Sequence, residues 1–295
     1  MSCPNSKAPI DIPNFSNSIC VEKCNLVYKY GDSSTTIANK GDHLSLGYDA
    51  SNTNVYYNTI KMEVQDIRIY TPSLHSYNGK KAEAELIIVH SGFAENLLVC
   101  IPIKSTGPDT LSILDTIIDN ASPKITSKGD ATVLNSLTWN LNNIVPHQKQ
   151  VYTYTATLPY VPCSGTYNYL VWNINDYFIP VSTKFMSILN GKHKIIDSHK
   201  YTVQKGPTVF INKKGATNSS YASDNDDIYI ECQPTGEEEL SEYQQSSSSS
   251  SSSSKKSTSP QDVLENPAVE IILGLVAAMI VFKTGEYVYR KLKND

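Results

Sequence analysis

Tryptophan is scarce in this chain, with two in 295 residues, as are phenylalanine, at six, and charge, at 18% Asp, Glu, Lys and Arg. Low charge beside 40% hydrophobic residues rules out a wholly disordered chain and allows a packed core over most of the length. No internal repeat is visible, which argues against solenoids and propellers. No basic stripe with interleaved aromatics occurs, so nucleic acid is not an expected partner. Residues 1–20 hold no apolar run of the length a secretory signal needs. Cys20 and Cys24 could suggest a metal knuckle, but no second Cys pair exists and no histidine lies close, so a zinc finger is not expected.

What the chain does have is tyrosine, at 19, with many Val, Ile and Thr, a composition that suits strands. Strand-like runs fall at Lys61–Tyr70, Ala84–His90, Leu97–Ile103, Val151–Leu158, Tyr167–Ile174 and Thr208–Ile211. Turn signals separate them, at Asn78-Gly79, Gly107-Pro108, Lys128-Gly129-Asp130 and Ser164-Gly165. One helix is expected over Ser182–Leu189. The six cysteines permit up to three bridges and require none.

The composition divides the chain into four parts. Residues 1–212 form the expected globular domain. Residues 213–262 read as a flexible stalk: eight acids and no Lys or Arg lie in 215–245, and nine serines follow at Ser246–Ser254. The uninterrupted apolar run Ile271–Phe282 is too short to span a bilayer, but Ala268–Tyr289 suffices if Glu270, Lys283 and Glu286 snorkel. Residues 263–289 are therefore expected to be a transmembrane helix. Tyr287 and Tyr289 would lie at its interface, and the basic tail 290–295 on the cytosolic side.

Three stretches, in order, resemble the α-class carbonic anhydrases. Ala8-Pro9-Ile10-Asp11-Ile12 is similar to the family's S-P-I-[ND]-I. Ser73-Leu74-His75-Ser76-Tyr77-Asn78-Gly79-Lys80-Lys81, running on to Ala84-Glu85-Leu86-Ile87-Ile88-Val89-His90, is similar to S-E-H-T-[IV]-[DN]-G-K and A-E-L-H-L-V-H. Leu158–Cys163, Trp172 and Ile179-Pro180-Val181-Ser182 resemble L-T-T-P-P-C…W…P-I-x-V-S. The resemblance covers about residues 1–212 and implies a mainly β fold, a large twisted antiparallel sheet with few short helices. It also implies a cleft in which three histidines hold zinc, two at i and i+2 on one strand and a third on its neighbour.

Those positions carry no imidazole here. The resemblance places Ile67 and Ile69 at the paired positions and Ile87 at the third. A one-residue slip would put Arg68 and Tyr70 at the pair instead. The acid that orients the family's gatekeeping threonine is Leu74, that threonine is Pro159, and the proton-shuttle histidine falls at Asp42. His43, next door, is expected to point away by strand alternation. His90, His147, His193 and His199 show no family-like spacing. No zinc, no other cofactor and no catalytic residue is therefore expected. His75 and Glu85 are expected to be a buried hydrogen-bonded pair, and the resemblance implies a Cys3–Cys163 disulfide, with Cys20, Cys24, Cys100 and Cys232 left open.

A zinc-free domain of this kind on a C-terminal anchor resembles the carbonic-anhydrase-like surface proteins of poxviruses and other large DNA viruses. That resemblance implies a virion-membrane protein whose large domain is exposed and attaches to a host-surface ligand. The ligand would be a sulfated glycan or a protein receptor. Residues 1–214 carry 19 basic and 16 acidic residues, a net +3. Lys80, Lys81, Lys192 and Lys194 are the candidate contacts for an anionic ligand. The rival readings are a structural membrane spacer and an active lyase.

Overall fold

The computed structural model describes residues 3–219, apart from residues 15, 17, 21–23, 50, 52 and 193. In chain order its first strands are β1 (Asp11–Ile12), β2 (Leu26–Lys29), β3 (Ser33–Asn39), β4 (Leu44–Leu46), β5 (Asn54–Tyr57) and β6 (Ile60–Tyr70). There follow β7 (Ser76–Tyr77), β8 (Lys80–Lys81), β9 (Ala84–Gly92), β10 (Asn96–Gly107), helix α1 (Ile113–Ala121) and β11 (Ala131–Trp139). The last are β12 (Val151–Ala156), β13 (Tyr167–Val171), β14 (Ile179–Ser182), helix α2 (Thr183–Asn190), β15 (Phe210–Asn212) and β16 (Thr217–Asn218).

Thirteen strands form one sheet, with the main path β11-β3-β4-β6-β9-β10-β13-β12-β15. The expected antiparallel sheet is in fact mixed: β10 pairs in parallel with β13 and β14, and β16 with β2, while β9 runs antiparallel to both its neighbours, β6 and β10. Parallel pairing needs a long crossover, and the stretch from β10 to β13 supplies one. Strand pairing also continues past residue 212, where Thr217 and Asn218 meet Val27 and Tyr28.

Both faces of the central strands are covered, which explains why β9 and β10 read as continuous apolar runs rather than alternating ones. One face packs Leu86, Ile88, Val99 and Ile101 beneath the two helices, through Leu114, Ile117 and Ile118 of α1 and Phe185 and Leu189 of α2. The other packs Ile87, Leu98 and Cys100 against the N-terminal segment and a group of tyrosines, Tyr152, Tyr154 and Tyr169. Asn78 and Gly79, both at positive φ, close the β7–β8 hairpin where the Asn-Gly signal was read.

Helix α1 was not expected, yet its signal is present. Ser112 caps Asp115 N–H and Asp115 caps Ser112 N–H, a capping box ahead of apolar residues at i, i+3, i+4 and i+7 spacing. Asp115 also accepts from the N–H (3.0 Å) and hydroxyl (2.5 Å) of Ser182, the N-cap of α2, so one buried carboxylate ties both helix starts together.

Cys3 and Cys163 form a disulfide with a Cα–Cα distance of 5.3 Å, and Cys20 and Cys24 form another. Cys100 is free and buried. The stalk beyond residue 219, the transmembrane helix over 263–289, the basic tail and Cys232 lie outside the described residues. Among the described residues no helix is long and apolar enough to cross a membrane.

His90 is fully buried on the helix-bearing face, where its Nε2 meets the Tyr30 hydroxyl at 3.0 Å. Burial lowers its pKa from 6.5 to about 4. The unfolded chain therefore binds a proton between pH 6.5 and 4 that the folded chain refuses, and stability falls as pH falls through that window. The expected loss is about 3 kcal/mol. Urea denaturation at pH 7 and pH 4 should show it, and His90→Gln should remove most of the difference.

Candidate functional site

The cleft begins with a bulge. In β6 the pairing with β9 runs Val64↔His90 and then Asp66↔Val89, so Gln65 has no partner of its own. Beyond the bulge, Ile67 pairs with Ile88, Arg68 with Ile87, Ile69 with Leu86, and Tyr70 with Glu85. Residues directly opposite share a face. Ile67 and Ile69 therefore lie on the helix-bearing face, inside the main core, and do not meet Ile87. This corrects the expected trio of Ile67, Ile69 and Ile87. The side chains that share the face of Ile87 are Arg68 and Tyr70, the pair the slipped alignment named.

Above them opens a pocket of about 430 Å³, lined by Lys40, His43, Ser45, Asp66, Arg68, Tyr70, Tyr160, Val161 and Tyr201. An adjoining one of about 740 Å³ shares Lys40 and Tyr201 and adds Asp42, Lys128, Asp197, His199 and Lys200. A further depression of about 780 Å³, bordered by Tyr57, Thr153 and Phe210, contains a single acid, Glu95, and no cluster of ionisable groups.

Tyr70 is the hub of the cleft floor. Its ring lies 4.9 Å from His43, 5.9 Å from His199, 6.1 Å from Tyr201 and 6.2 Å from Tyr160, centroid to centroid. The Arg68 guanidinium sits 4.6 Å over the Tyr160 ring, a cation–π contact. The carboxylates are already occupied. Asp66 accepts from Arg68 Nε at 2.6 Å and from Ser45 Oγ at 2.7 Å. Asp42 bonds His43 Nδ1 at 2.7 Å and accepts from the Tyr201 hydroxyl at 3.1 Å. The His43 hydrogen bond holds the Asp42 carboxyl below its usual range, against the opposing effect of partial burial. By contrast, the buried hydroxyl of Tyr160 has no hydrogen-bond partner among the described residues, while that of Tyr70 interacts with the Arg68 side chain. Burial pushes both phenols upward, so both stay protonated at neutral pH.

His43 faces the cleft, contrary to the alternation argument. Residues 41–43 form a bend and β4 starts only at Leu44, so strand alternation does not govern His43. Asp42 also borders the cleft. Leu74 is buried and gives its N–H to Glu85, while its carbonyl accepts from Lys81 Nζ. Pro159 is buried, and its carbonyl accepts from Cys3 N–H at 3.1 Å beside the disulfide. Tyr160 follows it and could have been read from the Leu158–Cys163 motif. Tyr201 and His199 come from the irregular segment between α2 and β15, which offers no periodic signal.

Behind Ile87, His75 and Glu85 form the expected buried pair. Nδ1 of His75 meets Glu85 Oε1 at 2.6 Å, and Nε2 meets the Tyr154 hydroxyl at 2.7 Å. Glu85 Oε2 accepts the N–H groups of Leu74 and His75. Burial alone would raise the Glu85 pKa, but the charge and hydrogen bonds of His75 outweigh it and leave the carboxyl below its usual value. With Cys100 these residues make the one cluster of metal-ligand types among the described residues. Both His75 nitrogens are engaged, and burial pushes the Cys100 thiol up, away from the thiolate a metal needs.

The lysines nominated from sequence do not gather at the cleft. Lys80 is exposed on the β7–β8 hairpin and Lys81 bonds the Leu74 carbonyl. Lys192 borders a separate depression with Lys184, and Lys194 pairs with Asp197 at 3.2 Å. The cations at the cleft are Arg68, Lys40, Lys128 and Lys200, scattered in sequence and joined only by the fold.

Alpha carbonic anhydrase 7 of Arabidopsis thaliana is 24% identical to this chain over 204 residues, 67% of the chain and 70% of that protein. Alpha carbonic anhydrase 8 of the same plant is 24% identical over 230 residues, 73% of the chain but 57% of that longer protein. A hyperthermostable carbonic anhydrase from a hydrothermal vent chimney superposes with a TM-score of 0.55 at 17% identity, over 71% of this chain and 88% of that one. Dioscorin in complex with ascorbate gives 0.58 at 16% identity, over 72% and 87%.

The fold is that of an α-class carbonic anhydrase. No family model matches the chain. Within the carbonic anhydrase fold, the His75–Glu85 pair braces the hairpin to β9, and that role is measurable. Glu85→Ala leaves two backbone N–H groups and the His75 ring without their acceptor. The expected loss is about 3 kcal/mol or more by urea denaturation, against about 1 kcal/mol for Tyr154→Phe.

Proposed function

We propose that this domain uses the carbonic anhydrase fold to bind rather than to catalyse, and that it holds no zinc. The observation that carries the reading is the trio on the cleft face of β6 and β9, Arg68, Tyr70 and Ile87. A zinc ion needs neutral imidazole, thiolate or carboxylate donors. A guanidinium, a protonated phenol and a branched alkyl side chain supply none of these. Leu74 and Pro159 lack the carboxylate and hydroxyl that the family's pattern places at their positions. The carbonic anhydrase names of the plant relatives favour the rival reading, an active carbonate dehydratase, and the test below separates the two.

In this reading the domain is a surface protein, displayed on a membrane through residues 263–289 and held off it by the acidic, serine-rich stalk. The poxvirus-type resemblance supports a virion membrane and a host-surface ligand, either a sulfated glycan or a protein receptor. A structural spacer shares the fold and the anchor but needs no ligand.

Purified full-length chain is expected to carry no stoichiometric zinc and to leave CO₂ hydration at the buffer rate in stopped flow. One tightly held zinc with hydration above background establishes the enzyme instead. Arg68→His, Tyr70→His and Ile87→His combined should regain zinc but not turnover, because Leu74 and Pro159 remain. For the binding role, a sulfated-glycan array read at two salt concentrations should show binding that falls steeply with salt. No binding at low salt sinks the glycan ligand, and salt-indifferent binding points to a protein receptor.

A further inference from the structure

We propose that this domain pairs with a second copy of itself through the part of the helix-bearing face that the helices leave bare. Each copy inserts Phe93 into a depression that lies beside the partner's own Phe93. This surface is on the opposite side of the sheet from the cleft, and its pairing is independent of whether the cleft carries zinc.

The knob is the tip of the β9–β10 hairpin. Phe93 is 104% exposed, more than any other large hydrophobic side chain among the described residues, and Ala94 beside it is exposed too. Turn tips draw Gly, Asn, Asp and Ser, so turn chemistry does not explain a phenylalanine there. The hairpin is nonetheless held firmly. Gly92 donates its N–H to the Glu95 carbonyl at 2.8 Å, and a side chain at 92 would meet Met62 Sδ at 2.9 Å. Glu95 Oε2 accepts from Asn168 Nδ2 at 3.0 Å, which pins the hairpin to β13. A rigid element thus presents the ring, and little freedom is lost when a partner covers it.

The hole is the depression of about 780 Å³ bordered by Tyr57, Thr153 and Phe210, which reaches Glu95, two residues from Phe93. Asn168 lies opposite Leu97 and Thr153 opposite Leu170, both residues of the core under the helices. Thr155, opposite Asn168, and Phe210, opposite Thr153, share that face. Among the described residues neither helix contributes to the lining. The polar groups here serve one another: Thr155 Oγ1 donates to Asn168 Oδ1 at 3.0 Å, and Asn168 donates to Glu95. The rim is apolar, with Phe210 42% and Ile19 53% exposed.

Charge, symmetry and area favour a second copy as the occupant. Among the described residues no Lys or Arg borders the depression, and its one acid is engaged, the charge depletion that interface centres show. Knob and hole sit side by side, so a two-fold axis between them seats both rings at once and closes the assembly at two. A foreign side chain filling the depression would leave Phe93 in water. A specific interface starts near roughly 600 Å² per partner. Each ring supplies about 200 Å² of that, and the receiving walls with Ile19, Ala94 and Phe210 supply the rest. The contact is therefore small, and the dimer forms reversibly with concentration.

Sedimentation equilibrium of the full chain in mild detergent, over about a hundredfold range of concentration, tests the pairing. The expected result is a reversible monomer–dimer equilibrium. Phe93→Ala removes the knob and should weaken pairing by about a hundredfold or more, with thermal unfolding like the parent. Thr155→Trp fills the hole from an exposed strand position and should weaken it as much. Leu111→Ala removes another exposed apolar side chain, 93% exposed and outside the depression, and should pair like the parent. A parent that stays monomeric overturns the proposal and leaves this face to a protein of another sequence. Pairing that survives Phe93→Ala or Thr155→Trp also overturns it, and assigns the association to another surface.

Discussion

Between Val64 and Asp66, strand β6 carries one residue, Gln65, that its neighbour β9 does not match. Side chains on a strand alternate faces, so one extra residue exchanges which of the following side chains face the helices and which face the cleft. Ile67 and Ile69 go to the helix-bearing core, where each contributes roughly 1.5–3 kcal/mol by burial. Arg68 and Tyr70 go to the cleft opposite Ile87 and Glu85. The reverse register would bury a guanidinium under α1 and α2 and expose two isoleucines. The hydrophobic face fixes the register, and the register fixes the chemistry of the cleft.

The cleft that results is organised by rings and donors. Tyr70, Tyr160, Tyr201, His43 and His199 pack against one another, and the two aspartates at the floor each serve two donors. Such aromatic packing is stabilising in itself, at about 0.5–1.5 kcal/mol per well-placed pair beyond burial. The unpaired Tyr160 phenol runs against that economy. The deeper His75–Glu85–Tyr154 network shows the opposite pattern, with the donors and acceptors of its three side chains matched, as a structural element should.

Much of the fold was legible in the sequence. The Asn78-Gly79 hairpin, the runs that became β6, β9, β10, β12 and β13, and the helix after Pro180 follow from turn chemistry and β-branched composition. Helix α1 was legible but missed: Ser112 and Asp115 are a capping box, and the apolar spacing that follows is helical. The parallel pairings of β10 were not legible, because they join segments far apart in sequence through a long crossover. The cleft was read with the right strands and with Ile87 on the right face, but β6 was placed one residue out of register, the slip that would bring Arg68 and Tyr70 to the pair being the alternative. Gln65 looks like any polar strand residue, and nothing local tells a bulge from a continued strand. The basic residues of the cleft were invisible for a related reason. Lys40, Arg68, Lys128 and Lys200 come from four separate segments, whereas the lysines adjacent in sequence, Lys80 with Lys81 and Lys192 near Lys194, point to other places.

The central claim is that the cleft face of β6 and β9 holds no metal. Crystals of the protein grown in the presence of zinc and recorded on both sides of the zinc absorption edge test it directly. The account predicts no anomalous density within bonding distance, about 2.0–2.3 Å, of any side chain in the space bounded by Arg68, Tyr70 and Ile87. A zinc peak there with three protein ligands in tetrahedral geometry would contradict it.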